Sequence, residues 1–443
     1  MRRDPPDTAP DSANEVPERV VVPQSPVAPG TEAVERISTF HSLRYPEYRL
    51  LFISGLFIFL GVQAQQIVRG WLAAELTGSN RGLGGVFFGF AIPMLLLTPF
   101  GGVAADRFPK RTVLLVSTAL LVISALWVGL ADAFGVLEYW MLVGASAVQA
   151  SGFAIFGPAR ISFTSELVDR RALPNAVILS QISMNSTRII GPAAGGALIG
   201  VAWLGTAGTY LITAALMIIA LIIIFPLPKQ AKVDRSDRPS PISELRAGLR
   251  YVRGNRPVLL LIIASYAVVM FAFPYIAFLP LVATEVFDVG SAGYGIMNAA
   301  SGAAAVIVSL RIARISGADS WRIQVIAGVV FGVGIVALGL APSFPLALLA
   351  LFVIGGGASA FQAMNNTLIL TESEPEYHGR VQSLLMLSFS GFGLAALPLG
   401  AVADTVGLRP VFVGMGISAV VSMLLYQWAR RRVPRDQSTT TIS

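Results

Sequence analysis

Long blocks of apolar residues alternate with short polar segments along most of the chain. Stretches of about 17 or more mostly apolar residues recur, and this is the length a helix needs to cross a bilayer. Six such stretches precede a polar segment and six follow it, which predicts twelve membrane-spanning helices in two groups of six. They are predicted at 50–73, 83–104, 113–130, 142–163, 176–201 and 207–225, and then at 258–282, 294–310, 325–340, 346–370, 384–402 and 411–426.

The segments outside these blocks divide the chain further. The first segment is rich in Pro, Asp and Glu and has no apolar run of signal-peptide length, so we expect a disordered cytoplasmic tail. The predicted parts are this tail at 1–46, an N-terminal six-helix bundle at 47–226, a basic cytoplasmic linker at 227–257, a C-terminal six-helix bundle at 258–428 and a basic cytoplasmic tail at 429–443.

The linker contains apolar residues at helical spacing among its arginines. Ile242, Leu245, Leu249 and Val252 would form one apolar stripe. This spacing predicts a short amphipathic helix at the membrane surface. A linker that only orients the flanking spans is the alternative.

Composition excludes an ordinary water-soluble protein, because 54% of the residues are hydrophobic and only 13% are charged. The absence of cysteine excludes disulfides and thiolate chemistry, and the two histidines, His41 and His378, exclude a histidine-rich metal site. We therefore predict no cofactor and no metal. No nucleotide-binding G-x-x-x-x-G-K-[ST] string and no catalytic constellation is present, so we expect neither ATP hydrolysis nor another enzymatic activity.

The positive charges predict the orientation. Although the net charge is +7, the basic residues fall between apolar blocks, which indicates a membrane protein rather than one that binds nucleic acid. If the spans alternate, nearly all of the 32 Lys and Arg residues lie on one side, Arg160 near the end of the fourth span among them. Both termini are then cytoplasmic. The exceptions are Arg69, Arg81, Arg188 and Arg409.

The most specific short string lies between the second and third spans and contains Gly102, Asp106, Arg107, Lys110 and Arg111. A carboxylate at the end of a span can bind the N-terminal amides of another helix or pair with an arginine. Such a contact can form in one conformation and break in another, so we predict a gating loop. A positively charged loop without a gating role is the alternative.

A second string in the fifth span contains Gly191, Pro192, Gly195 and Gly196. Glycines let helix backbones approach closely, and a proline inside a helix frees a carbonyl and bends the helix. We predict a helix-bending motif, and plain small-residue packing is the alternative.

Several polar residues interrupt the apolar blocks. A buried cation such as Arg188 is costly in a bilayer and should face a wet cavity, with Asn185 on the same side of the helix. The alternatives are snorkelling of Arg69 to the outer interface and interhelical hydrogen bonds that only hold helices together. The predicted substrate cavity comprises Gln65, Arg69, Gln149, Asn185, Arg188, Gln362 and Asn365.

Acidic residues cluster toward the ends of the spans. Proton transfer within a membrane usually requires a carboxylate or histidine. Glu75 and Glu285 are the coupling candidates, and solvated loop charges are the alternative.

These strings resemble motifs of the major facilitator superfamily. The loop string resembles G-x-x-x-D-R-x-G-[RK]-[RK], with Pro109 in place of a glycine, and the fifth-span string resembles the GPxxGG part of an exporter motif. The ELTGS, PAR…ELV and GLRYVRGNRP segments resemble the exporter branch that includes enterobactin exporters and macrolide or multidrug efflux proteins. The resemblance spans roughly residues 45–430.

This resemblance implies an all-α polytopic membrane protein with the major facilitator fold, in which twelve transmembrane helices form two six-helix pseudo-repeats. It also implies export of a small amphipathic molecule, such as a drug, a macrolide-like compound or a siderophore, across a bacterial cytoplasmic membrane by alternating access, as proton-coupled antiport. The expected partners are a small-molecule substrate, a proton or other ion gradient and the lipid bilayer, with no nucleic acid, and we expect a monomer. The alternatives are an importer, a permease that depends on a separate ATPase, and a membrane sensor or scaffold that transports nothing.

Overall fold

The structure, a computed structural model, describes residues 40–169, 171–201, 203–228, 241–312, 320–374, 377–388 and 390–432. These residues are almost entirely helical, and no β-strand occurs among them. The first group of helices is α1 (Pro46–Thr77), α2 (Asn80–Arg107), α3 (Lys110–Ala133), α4 (Tyr139–Leu167), α5 (Leu173–Ile199) and α6 (Gly205–Ile224).

The second group begins in the polar segment. It consists of α7 (Pro241–Gly254), α8 (Arg256–Phe271), α9 (Tyr275–Leu281), α10 (Gly290–Ile312), α11 (Ser320–Leu340), α12 (Phe344–Glu372), α13 (His378–Ser388), α14 (Ser390–Val406) and α15 (Leu408–Arg431).

Ten helical segments of the described chain are long and apolar enough to cross a membrane. Two shorter apolar stretches, Ile190–Ile199 and Ser390–Val406, lie where the fifth and eleventh spans were predicted. The arrangement is therefore consistent with the predicted twelve spans.

Local chemistry explains the sharp turn between α1 and α2. Gly78 follows α1 with φ of 54°, a left-handed conformation that glycine adopts without steric cost. The next residue, Ser79, caps α2 by accepting a hydrogen bond from the Gly82 N–H at 3.0 Å. Two spans are thus joined by a two-residue connection.

The seventh predicted span is divided rather than continuous. Helix α8 ends at Phe271, α9 begins at Tyr275, and a π-helical segment at Val282–Val286 follows. Pro274 stands just before α9, where a proline cannot donate a backbone hydrogen bond to the preceding turn. The eleventh span comprises α13 and α14 on either side of residue 389, which lies outside the described residues.

Helical structure begins before the predicted end of the N-terminal tail at residue 46. A 3-10 helix occupies His41–Arg44, and the Ser42 N–H donates to Asn175 Oδ1 on α5 at 3.0 Å. The Tyr48 hydroxyl donates to the Ala176 carbonyl at 2.7 Å. The tail boundary at 46 is therefore too late, because these residues dock on α5; residues 1–39 lie outside the described part.

The predicted linker helix is present as α7. Val252 is buried, whereas Arg246, Arg250 and Arg253 are exposed. The ring of Tyr251 stacks on Tyr377 with 4.0 Å between centroids, so α7 is docked beside α13. The side chains of Ile242 and Leu245 lie outside the described set.

The helices pack into two bundles. The N-terminal half is α1–α6, in which α1 packs on α5 and α6, and α4 packs on α2 and α3. The C-terminal half is α8–α15, in which α12 packs on α10 and α11, and α15 packs on α8 and α11. Chain direction then defines two faces. The basic face carries Lys110, Arg111 and Arg430, and the distal face carries Asn80, Gly290 and Asp404.

Candidate functional site

A chain of hydrogen bonds crosses the core of the N-terminal half. The Arg69 guanidinium donates to Gln149 Oε1, and Gln149 Nε2 donates to Gln65 Oε1. Gln65 Nε2 then donates to Thr213 Oγ1 at 2.8 Å, so the chain joins α1, α4 and α6. Successive donors and acceptors aligned in this way polarise one another and strengthen the network in a low-dielectric interior.

Arg69 is the only charge in this chain of hydrogen bonds and is 4% exposed. Its guanidinium lies 5.5 Å from the centroid of the Phe90 ring, and the Tyr210 hydroxyl lies beside it. Among the residues described, no carboxylate forms an ion pair with Arg69. Snorkelling to the interface is therefore excluded for this conformation, because the charge is held inside the bundle by amide and aromatic groups.

A second polar cluster occupies the C-terminal half. Asn365 Oδ1 accepts hydrogen bonds from Ser265 Oγ at 2.9 Å and from Gln324 Nε2 at 2.8 Å, which ties α12 to α8 and α11. Asn365 Nδ2 and Gln324 Oε1 are buried without a hydrogen-bond partner in the described structure. Gln362 is half-buried on the same helix, and among the described residues it has no hydrogen bond to this cluster.

The predicted cavity residues therefore separate into two groups. Gln65, Arg69 and Gln149 meet in the N-terminal half, and Asn365 belongs to a different cluster in the C-terminal half. Asn185 and Arg188 lie on α5, but their side chains are outside the described set.

The fifth-span glycines make close contacts in two directions. A Cβ at Gly195 would lie 2.8 Å from the Ala64 carbonyl oxygen of α1, and Gly191 likewise packs against Gln63. A Cβ at Gly196 would lie 2.8 Å from the Gly295 Cα of α10, across the two halves. The small residues thus bring α5 against both halves, and Pro192 lies inside the same helix.

The predicted gating loop binds its own half in this conformation. Lys110 Nζ forms an ion pair with Glu166 near the end of α4. Arg111 donates to the Phe225 carbonyl beyond the end of α6, and its guanidinium lies 5.0 Å from the Phe225 ring centroid. Arg107 is exposed. The backbone of Gly102 and Asp106 is helical, but nothing further is described for either residue.

A carboxylate to which the sequence motifs gave no role joins the two halves at the distal face. Asp404 Oδ1 accepts from the Asn80 N–H at 2.7 Å, and Asp404 Oδ2 accepts from the Arg81 N–H at 3.0 Å. Asn80 Nδ2 adds a third bond to Oδ1 at 3.1 Å. The carboxylate of α14 therefore caps the N-terminus of α2, where backbone amides and the helix dipole both favour an anion. The available sequence signal was the Gly400…Asp404 spacing, which repeats Gly102…Asp106.

Further contacts between the halves lie toward the same face. The Trp71 ring stacks on Tyr294 with 5.7 Å between centroids, and a Cβ at Gly84 would lie 2.7 Å from the Leu397 Cα. Helix α2 packs extensively on α14 and only slightly on α13, the basic-face part of the same span. The described contacts thus close the distal face more tightly than the basic face.

The two coupling candidates lie at the distal face and are exposed. Glu75 Oε1 accepts from the Trp71 indole N–H at 2.7 Å. Glu285 lies in the π-helical segment, within electrostatic range of Asp404. The described contacts place neither carboxylate in the Arg69 network.

Arg160, near the end of the fourth span, is buried. It lies within α4, is 5% exposed, and has its guanidinium 5.1 Å from the Phe59 ring centroid. The absence of a side chain at Gly55 leaves the space that the guanidinium occupies. A glycine on another helix, far away in sequence, therefore gives Arg160 room inside the bundle.

A family profile described as "Transmembrane secretion effector" matches residues 37–443. The staphyloferrin A transporter of Staphylococcus aureus is 24% identical over 392 residues, which cover 87% of this chain and 96% of that protein. The multidrug efflux pump Tap of Mycobacterium tuberculosis is 25% identical over 402 residues, covering 87% and 93%.

Solved transporters share the fold at lower identity. A bacterial homolog of the human lysosomal transporter Spinster superposes with a TM-score of 0.68 at 16% identity, covering 88% of this chain and 97% of that one. The nucleoside transporter NupG superposes with a TM-score of 0.68 at 14% identity, covering 86% and 99%.

Proposed function

The chain belongs to the transmembrane secretion effector family of the major facilitator superfamily, and on that premise we propose that it exports a small amphipathic molecule from the cytoplasm by alternating access. The observation that carries this proposal is the unequal closure of the two faces. The halves meet closely at the distal face through α2, α14, α5 and α10. A transporter that alternates access must have such a state, with one face sealed and the other free to part.

The basic face is the cytoplasmic one in this proposal, because positively charged residues favour the cytoplasmic side of a bacterial membrane. The structure then corresponds to an inward-facing state that can receive substrate from the cytoplasm. Named relatives that transport a siderophore and efflux drugs support an amphipathic substrate with polar groups. The buried Arg69 network would bind those polar groups, and the surrounding apolar side chains would bind the rest of the molecule.

Energy is proposed to come from the proton gradient, since the sequence has no nucleotide-binding loop. Glu75 and Glu285 lie on the distal face, where external protons would reach them in this orientation. Their protonation would then be coupled to opening of the sealed face.

Dye accumulation in everted membrane vesicles tests this function. We expect an amphipathic anionic or zwitterionic dye, whose negative group can bind Arg69, to accumulate only while a pH gradient, acidic inside, is present, and to leave when an ionophore collapses it. Vesicles without the protein are the control. ATP-dependent accumulation without a gradient would favour the ATPase-dependent permease, and accumulation only in right-side-out vesicles would favour an importer.

The GxxxD spacing that α2 and α14 share suggests how the two faces open and close in turn. Asp404 caps the N-terminus of α2, and Asp106 stands as far beyond Asn80 in sequence as Asp404 stands beyond His378. In an outward-facing state, Asp106 at the end of α2 would cap the N-terminus of α13 at His378. The two GxxxD strings would then be alternative latches for opposite faces.

The substitution Asp106→Asn is expected to weaken the basic-face latch and slow transport roughly 3–10-fold, because a neutral amide interacts more weakly with a helix N-terminus. Initial export rates in everted vesicles measure the effect, with membrane abundance determined in parallel. Glu47→Gln is the matched control, since Glu47 lies on the same face at the start of α1. Unchanged transport by Asp106→Asn would contradict the gate assignment.

A further inference from the structure

A cavity on the outer circumference of the C-terminal half lies between α11 and α15 at the basic face. Its volume is about 400 Å³, and α11 and α15 provide its walls. Neither helix takes part in the extensive contacts between the two halves. The cavity lining shares no residue with the Arg69 network or the Asn365 cluster. It is lined by Trp321, Arg322, Val325, Ile326, Gln427 and Arg431.

The polar end of this cavity is positively charged. Arg322 comes from the first turn of α11 and Arg431 from the last turn of α15, and the lining contains no acidic residue among those described. Backbone amides in the first turn of a helix also favour an anion. Two guanidinium groups near a helix N-terminus match the chemistry of a phosphate ester.

The surface beside the cavity on α15 is apolar. A second depression of about 280 Å³ is lined by Val421, Leu424, Leu425 and Trp428. Leu425 is 60% exposed and Trp428 is 55% exposed, as expected of side chains that face acyl chains. Tryptophan is enriched where hydrocarbon meets headgroups, and both Trp321 and Trp428 stand at this end of their helices.

We propose that this surface is a binding site for an anionic glycerophospholipid. The headgroup phosphate would bind Arg322 and Arg431, and one acyl chain would lie along the apolar face of α15. An inorganic anion would use only the basic end, and a neutral lipid would use only the apolar face. The basic end and the apolar face lie side by side on the bilayer-facing side of the C-terminal half. The site therefore selects a lipid that has both an anionic headgroup and an acyl chain.

The site would stabilise the C-terminal half at the basic face. Arg430, adjacent to Arg431, forms an ion pair with Glu372 at the end of α12. Helix α12 carries Asn365 of the C-terminal polar cluster. A lipid bound by Arg431 would therefore stabilise α11, α12 and α15 together at the basic face.

Native mass spectrometry of the purified full chain tests the proposal. With equal amounts of phosphatidylglycerol and phosphatidylcholine, we expect the chain to retain about one phosphatidylglycerol preferentially. The double variant Arg322→Gln/Arg431→Gln should retain about tenfold less, since each arginine near an anionic lipid contributes to binding. Arg250→Gln/Arg253→Gln is the matched control, because these arginines are exposed on α7 toward the same face. Its retention should equal that of the unsubstituted chain.

Other outcomes would overturn the proposal. Equal retention of the two lipids, or an equal loss in both double variants, would indicate nonspecific charge attraction. Displacement of the lipid by millimolar inorganic phosphate would indicate an anion site without acyl-chain recognition. A variant that fails to fold is recognised by its elution in gel filtration. Leu425→Gln then provides an independent test, because it leaves both arginines in place and should also weaken retention of phosphatidylglycerol.

Discussion

Replacing Asp404 with alanine is expected to open the distal face. The carboxylate accepts hydrogen bonds from the Asn80 and Arg81 backbone amides, and both bonds cross between the halves. Loss of a carboxylate cap of this kind destabilises the closed distal face by about 1–2 kcal/mol. Asp404 itself is exposed to solvent. The ratio of open to closed distal face should therefore rise roughly 5–30-fold.

The absence of cysteine from the chain makes this change directly measurable. Ile67 is buried beneath the distal seal, where its carbonyl accepts from the Tyr294 hydroxyl at 3.4 Å. With Ile67→Cys as the reporter, labelling by a membrane-impermeant maleimide from outside should accelerate by the same factor when Asp404→Ala is added. Asn80→Ala should have a smaller effect, because both backbone donors remain.

Glu138→Gln is the matched control for this experiment. Glu138 is an exposed acid at the distal face, but it accepts from the Trp140 indole within its own half at 2.5 Å. Its removal should leave labelling unchanged. Equal acceleration by Glu138→Gln and Asp404→Ala would show that general surface charge, and not the latch, controls the distal face.

Replacing Arg69 with methionine is expected to reduce export the most. The change keeps much of the apolar stem but removes the donor to Gln149 and the charge beside Phe90. A lost charged hydrogen bond in the interior costs about 2–3 kcal/mol, which corresponds to roughly 30–150-fold in the initial rate if substrate uses the same group. Initial rates across a range of dye concentrations would measure this loss.

Arg69→Lys separates charge from geometry. Lysine retains the charge but lacks the planar guanidinium that donates to Gln149 while it packs over Phe90, so we expect only partial recovery. Arg81→Gln is the control, because Arg81 is an arginine whose side chain is exposed at the distal face. If Arg69→Met exports normally while remaining folded, the network holds helices together and does not bind substrate.

The sequence alone predicted the class of fold, the approximate helices and the linker helix. These properties depend on quantities that are local in the chain, namely the length of an apolar run, helical spacing and the distribution of Lys and Arg. Gly78 and Ser79 illustrate this locality, since a left-handed glycine followed by a capping serine ends one helix and begins the next within a few residues.

Only the tertiary structure determines which polar groups contact each other. Asp404 and Asn80 are 324 residues apart in sequence, yet they share a hydrogen bond. Arg160 is buried because Gly55 of another helix leaves room for it. Hydropathy is unchanged when a helix rotates about its axis or slides along a neighbour, so it contains no information about such pairs. Close packing of small residues, as between Gly196 and Gly295, sets the rotation and register that bring these partners together.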